Sequence, residues 1–134
     1  MYRLLQKIIF LFSCLFCLNN LAQAQEYSVS CIGFYNVENL FDVINDDNVN
    51  DIDFTPAGKN KWTSDRYQKK INNLSEVIEQ IGTDVNPDGL AILGLSEVEN
   101  RRVIEDLVVN PKISSKNYKI AHADSPDRRG IDVA

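Results

Sequence analysis

Leu90-Ala91-Ile92-Leu93-Gly94-Leu95-Ser96-Glu97-Val98-Glu99-Asn100 opens with six apolar or glycine residues and then meets carboxylates abruptly. The apolar run follows the turn signals Asn86-Pro87-Asp88-Gly89 and is too short for a helix, so it reads as a buried strand. A strand walled in by neighbours delivers its last residues rigidly to a sheet edge, where open α/β sheets place their sites. A carboxylate held there can take a proton or hold a cation. Glu97 and Glu99 can equally mark the point where the strand meets water.

Upstream of this strand lies the clearest helix signal. Tyr67, Ile71, Leu74, Ile78 and Ile81 recur at steps of four and three and form one apolar face. Thr63 is placed to cap that helix, Asp65 complements its amino-terminal dipole, and Gly82 stops it. The stripe is core. Earlier still, Tyr27 to Val37 alternates and then turns continuously apolar, as a strand does when it passes from an edge into the interior. Asn36 near its carboxyl end is a poor strand former, so it either shapes a turn or presents its amide to a ligand.

Between these elements, Glu38 to Asp53 is dense in Asp and Asn. The spacing Asp46, Asn48, Asn50 resembles the start of a calcium loop, but Asp51 stands where the sharp-turn glycine belongs and Ala57 where the bidentate glutamate belongs. A solvated loop is the better reading, with weak calcium affinity left open. Downstream, Asn100 to Val109 reads as a second short helix that Pro111 cannot extend. Tyr118 to His122 is expected to form a third strand with His122 at its end, and Ile131 to Ala134 a fourth. Strands alternating with helices indicate the α/β class.

Composition bounds the rest. Met1 to Lys7 carries Arg3 and Lys7 without an acid, Ile8 to Leu18 is apolar apart from Ser13, and Ala22-Gln23-Ala24 follows. That is the pattern of a secretory signal peptide over residues 1–24, cleaved near Ala24, so the product is expected to be exported to the periplasm or beyond the cell. The apolar run is too short to span a bilayer, so the mature chain is expected to have no transmembrane helix. Without Arg3 and Lys7 the chain holds 12 basic against 19 acidic residues, a formal charge of −7. This argues against a simple electrostatic binder of nucleic acid, though not against a metal-dependent enzyme acting on phosphates. Of three cysteines only Cys31 lies beyond the leader, so no disulfide within the mature chain is expected.

Three segments, Phe34-Tyr35-Asn36-Val37-Glu38-Asn39-Leu40-Phe41, Gly94-Leu95-Ser96-Glu97-Val98-Glu99-Asn100 and Arg129-Gly130-Ile131-Asp132-Val133-Ala134, together resemble the endonuclease/exonuclease/phosphatase superfamily. Asp53-Phe54-Thr55-Pro56 with Trp62, Arg66 and Tyr67 looks like its secreted bacterial branch. The resemblance implies the amino-terminal portion of a four-layer α/β/β/α sandwich with two packed mixed sheets, residues 25–134 being an incomplete part of that domain. It also implies a magnesium-dependent phosphoesterase, manganese being an alternative. Such an enzyme would act on phosphodiesters or phosphomonoesters, nucleic acid among them, by in-line attack of water.

By the same resemblance Asn36 and Glu97 take the catalytic positions. Both are also candidate metal ligands, with Glu99 as the fallback, and Arg128 and Arg129 are candidates for clasping a phosphate. The family's later Asp-Asn and Asp-His pairs have no counterpart here, so this piece is expected to be inactive alone. The competing expectation is an exported, non-catalytic binding module on the same scaffold.

Overall fold

The computed structural model describes residues 2–7, 27–47 and 49–134. The apolar leader run with Cys14 and Cys17, the Ala22-Gln23-Ala24 cleavage pattern and Asn48 lie outside the described residues; residues 2–7 are helical. Among the described residues no helix is long and apolar enough to cross a membrane, and Cys31 is a free thiol.

Two parallel strands form the frame. Strand β1 (Cys31–Leu40) pairs with β2 (Leu90–Val98) from Cys31 opposite Leu90 to Leu40 opposite Val98. Parallel neighbours need a crossover, and helix α1 (Ser64–Gln80) provides it. The Thr63 hydroxyl accepts from the Arg66 amide, a cap worth about 1 kcal/mol. Ile71, Leu74 and Ile78 are buried, as their spacing predicts. Gly82 ends the turn at φ +78°, and a Cβ there would stand 3.2 Å from that of Cys31, so the helix end packs directly on the start of β1.

Helix α2 (Arg101–Val108) is capped by Asn100, whose side chain accepts from the Val103 amide at 3.1 Å, and buries Val103, Ile104 and Leu107. Strand β3 (Asp132–Val133) joins the far side of β2 antiparallel, completing a three-stranded mixed sheet in the order β1-β2-β3. Leu95 and Ala134 exchange both backbone hydrogen bonds, at 2.7 and 3.0 Å.

The core is one-sided. Val37, Leu40, Leu95 and Val98 from the strands pack with the apolar stripes of α1 and α2. On the opposite face Ile32 and Phe34 are each 73% exposed and Ile92 is 59% exposed. The α/β class and the mixed sheet agree with the sequence reading. Among the described residues there is one sheet with helices on one face, and no second sheet.

One expected strand is absent. Tyr118 to His122 forms no ladder; beyond it Ala123 makes a single bridge to Val133. The Tyr118 hydroxyl donates to the Leu90 carbonyl at 2.8 Å. A cleft of about 860 Å³ is lined by both Leu90–Leu95 and Tyr118–Ala121. Apolar alternation makes a segment ready to pair; a strand also needs a neighbouring backbone within reach.

Candidate functional site

The carboxyl ends of β1 and β2 are irregular in a coordinated way. Asn36 faces Ser96 and Leu40 faces Val98, so three residues of β1 stand opposite the single Glu97. On its other side β2 shifts register at the same residue, between Ser96 and Val98. Bulges of this kind re-aim side chains and concentrate beside sites. Here the extra length is absorbed by left-handed backbone at Glu38 (φ 54°), Asn39 (φ 63°) and, across the ladder, Glu97 (φ 65°). Asparagine tolerates that region, whereas at each glutamate it costs about 1–3 kcal/mol and persists only where the surroundings enforce it.

The enforcement is visible in the hydrogen bonds. The Asn36 amide donates from Nδ2 to Glu97 Oε1 at 2.9 Å. The Asn39 backbone N–H donates to Glu97 Oε2 at 3.1 Å. Asn36 Oδ1 in turn accepts from the Glu38 N–H at 2.7 Å. An N–H must meet oxygen, so the orientation of the Asn36 amide follows from this network. Asn36 therefore has its oxygen engaged and its nitrogen on Glu97. Its oxygen takes one N–H and keeps a second lone pair, while its nitrogen holds the Glu97 carboxylate in place. The two residues that the sequence paired by resemblance do meet.

Glu99 does not join them. Period-two alternation would have set it beside Glu97, but the left-handed turn at Glu97 breaks the period. Glu99 is instead 4% exposed, with Oε2 accepting from the Asp42 N–H at 2.8 Å. It sits among Asp42, Asp46 and Asp51, and oxygens of Asp46, Asp51 and Glu99 lie within 4.8 Å of one another. Burial first, then the charge of Asp42, a hydrogen bond shared with the Asp51 side chain and the charge of Asp46, push its carboxyl up to about 8, against the Asp42 N–H. Arg102 closes the outer side, with Nε 2.7 Å from Asp42 and an NH2 contact to Asp46 at 3.1 Å.

The loop between the strand end and α1 is built on aromatics. Phe41 stacks on Phe54 with ring centres 4.0 Å apart, and Trp62 meets Phe54 edge-on at 6.2 Å. The Trp62 indole N–H donates to the Phe41 carbonyl at 2.8 Å. The Arg66 guanidinium lies 5.0 Å over the Trp62 ring. Behind this stack, Lys70 reaches from α1 to donate to the Glu38 carbonyl. Burial holds its ammonium below the ordinary lysine value, against the pull of the Glu38 and Glu97 carboxylates. A groove of about 510 Å³ runs between β1 and α1, lined by Asn36, Glu38, Trp62, Arg66, Lys69 and Lys70 among others.

In the sequence Lys70 lies outside the apolar stripe of α1. No spacing rule links it to Glu38, 32 residues away. Asp46 and Asp51 belong to the loop whose spacing fails as a calcium loop, and their convergence with Asp42 on Glu99 is a tertiary event. Arg129 is exposed and paired with Asp127 at 2.7 Å, and the Glu97 carboxylate is among the charges that act on it. Arg128 is exposed, and its carbonyl accepts from the Asn50 N–H. His122 is half-buried, its Nε2 3.0 Å from Asp132 and its Nδ1 3.7 Å from Asp124.

A family model described as the Endonuclease/Exonuclease/phosphatase family matches residues 31–134, which include every residue of the Glu97 arrangement. No curated protein and no solved structure matches the chain. With the match spanning all three strands, both helices and the bulge, the chain belongs to the endonuclease/exonuclease/phosphatase family, whose members are metal-dependent hydrolases of phosphate esters.

Proposed function

We propose that this chain supplies the amino-terminal part of an exported phosphodiesterase or nuclease that works with magnesium, or with manganese in its place. The observation that carries the reading is the Glu97 carboxylate at the paired bulge, held at one oxygen by Asn36 and at the other by the Asn39 N–H. Nothing in a strand-end glutamate that merely meets water calls for two such donors and a left-handed backbone.

The donor set suits a hard cation. Each Glu97 oxygen takes one N–H and keeps a further lone pair, and the residue is half-buried, within reach of a hydrated ion. Magnesium retains several waters and takes one or two carboxylates, so one rigid glutamate is enough on this side. When bound, such an ion stabilises the charge on the phosphoryl and leaving oxygens. Asn36 and Asn39 keep the carboxylate pointed, and outer partners of this kind are worth about 10–100-fold in metal affinity. Lys70 sets positive charge behind the strand end. Arg129 would reach a substrate phosphate only by releasing Asp127, and Arg128 is the freer candidate.

The exposed face with Ile32, Phe34 and Ile92 supports a further element of the reading. We assign a second sheet to that face, completing the four-layer sandwich and bringing the base that activates water. In the protein with that sheet, a bis-aryl phosphodiester and plasmid DNA are the substrates to follow, in magnesium and in chelator. Glu97→Gln is expected to lower turnover on the order of 10²-fold or more. Full activity in excess chelator, or in the Gln variant, would refute the assignment.

A further inference from the structure

We propose that Asp46, Asp51 and Glu99 bind a second divalent cation, of calcium type, which fastens the loop after β1 to the end of β2. The census of oxygens carries this. Asp42 is satisfied at Oδ1 by the Ile44 N–H and at Oδ2 by Arg102. Asp46 is satisfied at both oxygens by Arg102, and at Oδ2 also by the Asn100 amide. Asp51 has the Asp46 N–H at Oδ2, and Glu99 has the Asp42 N–H at Oε2. That leaves Asp51 Oδ1 and Glu99 Oε1, both fully enclosed, without a hydrogen-bond partner among the described residues. Asp51 is 1% exposed and Glu99 4% exposed.

Buried acceptors are almost always paired, and two facing carboxylates are joined either by a proton that one of them keeps or by a cation between them; the enclosed oxygens are placed for a cation to take the proton's place. Arg102 is not that cation, because its contacts are to Asp42 and Asp46. Calcium meets oxygens at about 2.3–2.6 Å, so ligand atoms up to about twice that apart can share one ion, and the cluster lies within 4.8 Å. Magnesium gives up its water reluctantly and suits an enclosed carboxylate set less well. The His122, Asp124 and Asp132 cluster differs in kind. Both Asp132 oxygens there are satisfied, by the Ser125 N–H and by His122.

This site is distinct from Glu97, and the two are separable by experiment. The full chain is stripped with chelator, then titrated with calcium chloride by calorimetry and by thermal melting. Calcium is expected to raise the melting temperature, and Asp51→Asn to weaken calcium binding at least tenfold. Glu97→Gln should leave that affinity within about twofold. In chelator, Asp51→Asn should melt no lower than the parent, since it removes one of two facing charges. If Asp51→Asn fails to fold, Glu99→Gln is read in the same way. No calcium-dependent rise, binding lost through Glu97→Gln rather than Asp51→Asn, or collapse of both neutralised variants in chelator would each overturn the proposal.

Discussion

Asn36→Asp is the sharpest perturbation of the Glu97 arrangement, because it changes one atom type and almost no volume. The new carboxylate keeps the oxygen that accepts from the Glu38 N–H. It replaces the donating nitrogen, 2.9 Å from Glu97 Oε1, with a second negative oxygen. Two unit charges at that separation repel by about 1.4 kcal/mol at the dielectric of water and about 6 kcal/mol at an effective value of 20. Asn36 is exposed and Glu97 half-buried, and the side chains can swing apart, so the lower part of that range applies. With the lost charge-assisted hydrogen bond, itself about 1.5–3 kcal/mol, a net cost of about 2–3 kcal/mol is expected at pH 8 in chelator.

For a domain of this size that is a fall of roughly 8–12 °C in melting temperature. The loss should shrink on adding magnesium, which neutralises the facing carboxylates. Thermal melts of parent and variant at pH 8, with and without the ion, give all four numbers. A variant that melts with the parent at pH 8 in chelator would show that the Asn36 to Glu97 bond does not form in solution, and the positioning argument would fail with it.

Two further outcomes follow from other parts of the structure. Glu99 has its carboxyl raised by burial from 4.5 to about 8, so the folded state holds the proton more tightly than the unfolded one. Its contribution is complete below about pH 4.5 and is lost as pH rises through 8, at up to about 1.4 kcal/mol per pH unit. Melts from pH 5 to 9 in chelator should show that decline, and Glu99→Gln should flatten it; parallel profiles would contradict the assignment. On the open sheet face, Ile32→Glu separates a solvent-exposed strand from a covered one. If a second sheet covers the face, the change costs about 2 kcal/mol or more by denaturant unfolding. A cost within about 0.5 kcal/mol would leave the face open and count against the four-layer reading.

Much of the scaffold was legible because its signals are local. The α1 stripe, its Thr63 cap and its Gly82 stop each depend on residues within a few positions, and so does the buried run of β2 between a turn and a carboxylate pair. The resemblance of three short segments brought Asn36 and Glu97 together on paper, and the strands that carry them are hydrogen-bonded neighbours. Tyr118 to His122 had the composition of a strand and lacked the partner backbone, which no local pattern records.

Tertiary structure alone decided the site. Alternation sent Glu97 and Glu99 to one face, and a left-handed residue at the bulge sent them to different partners. Glu97 met Asn36 and Asn39; Glu99 met three aspartates drawn from a loop whose acids had read as solvated. Which carboxylates face each other depends on how β1 and the loop after it close over the end of β2. That closure is set by contacts 54 to 61 residues apart in the chain, beyond the reach of any short-range pattern.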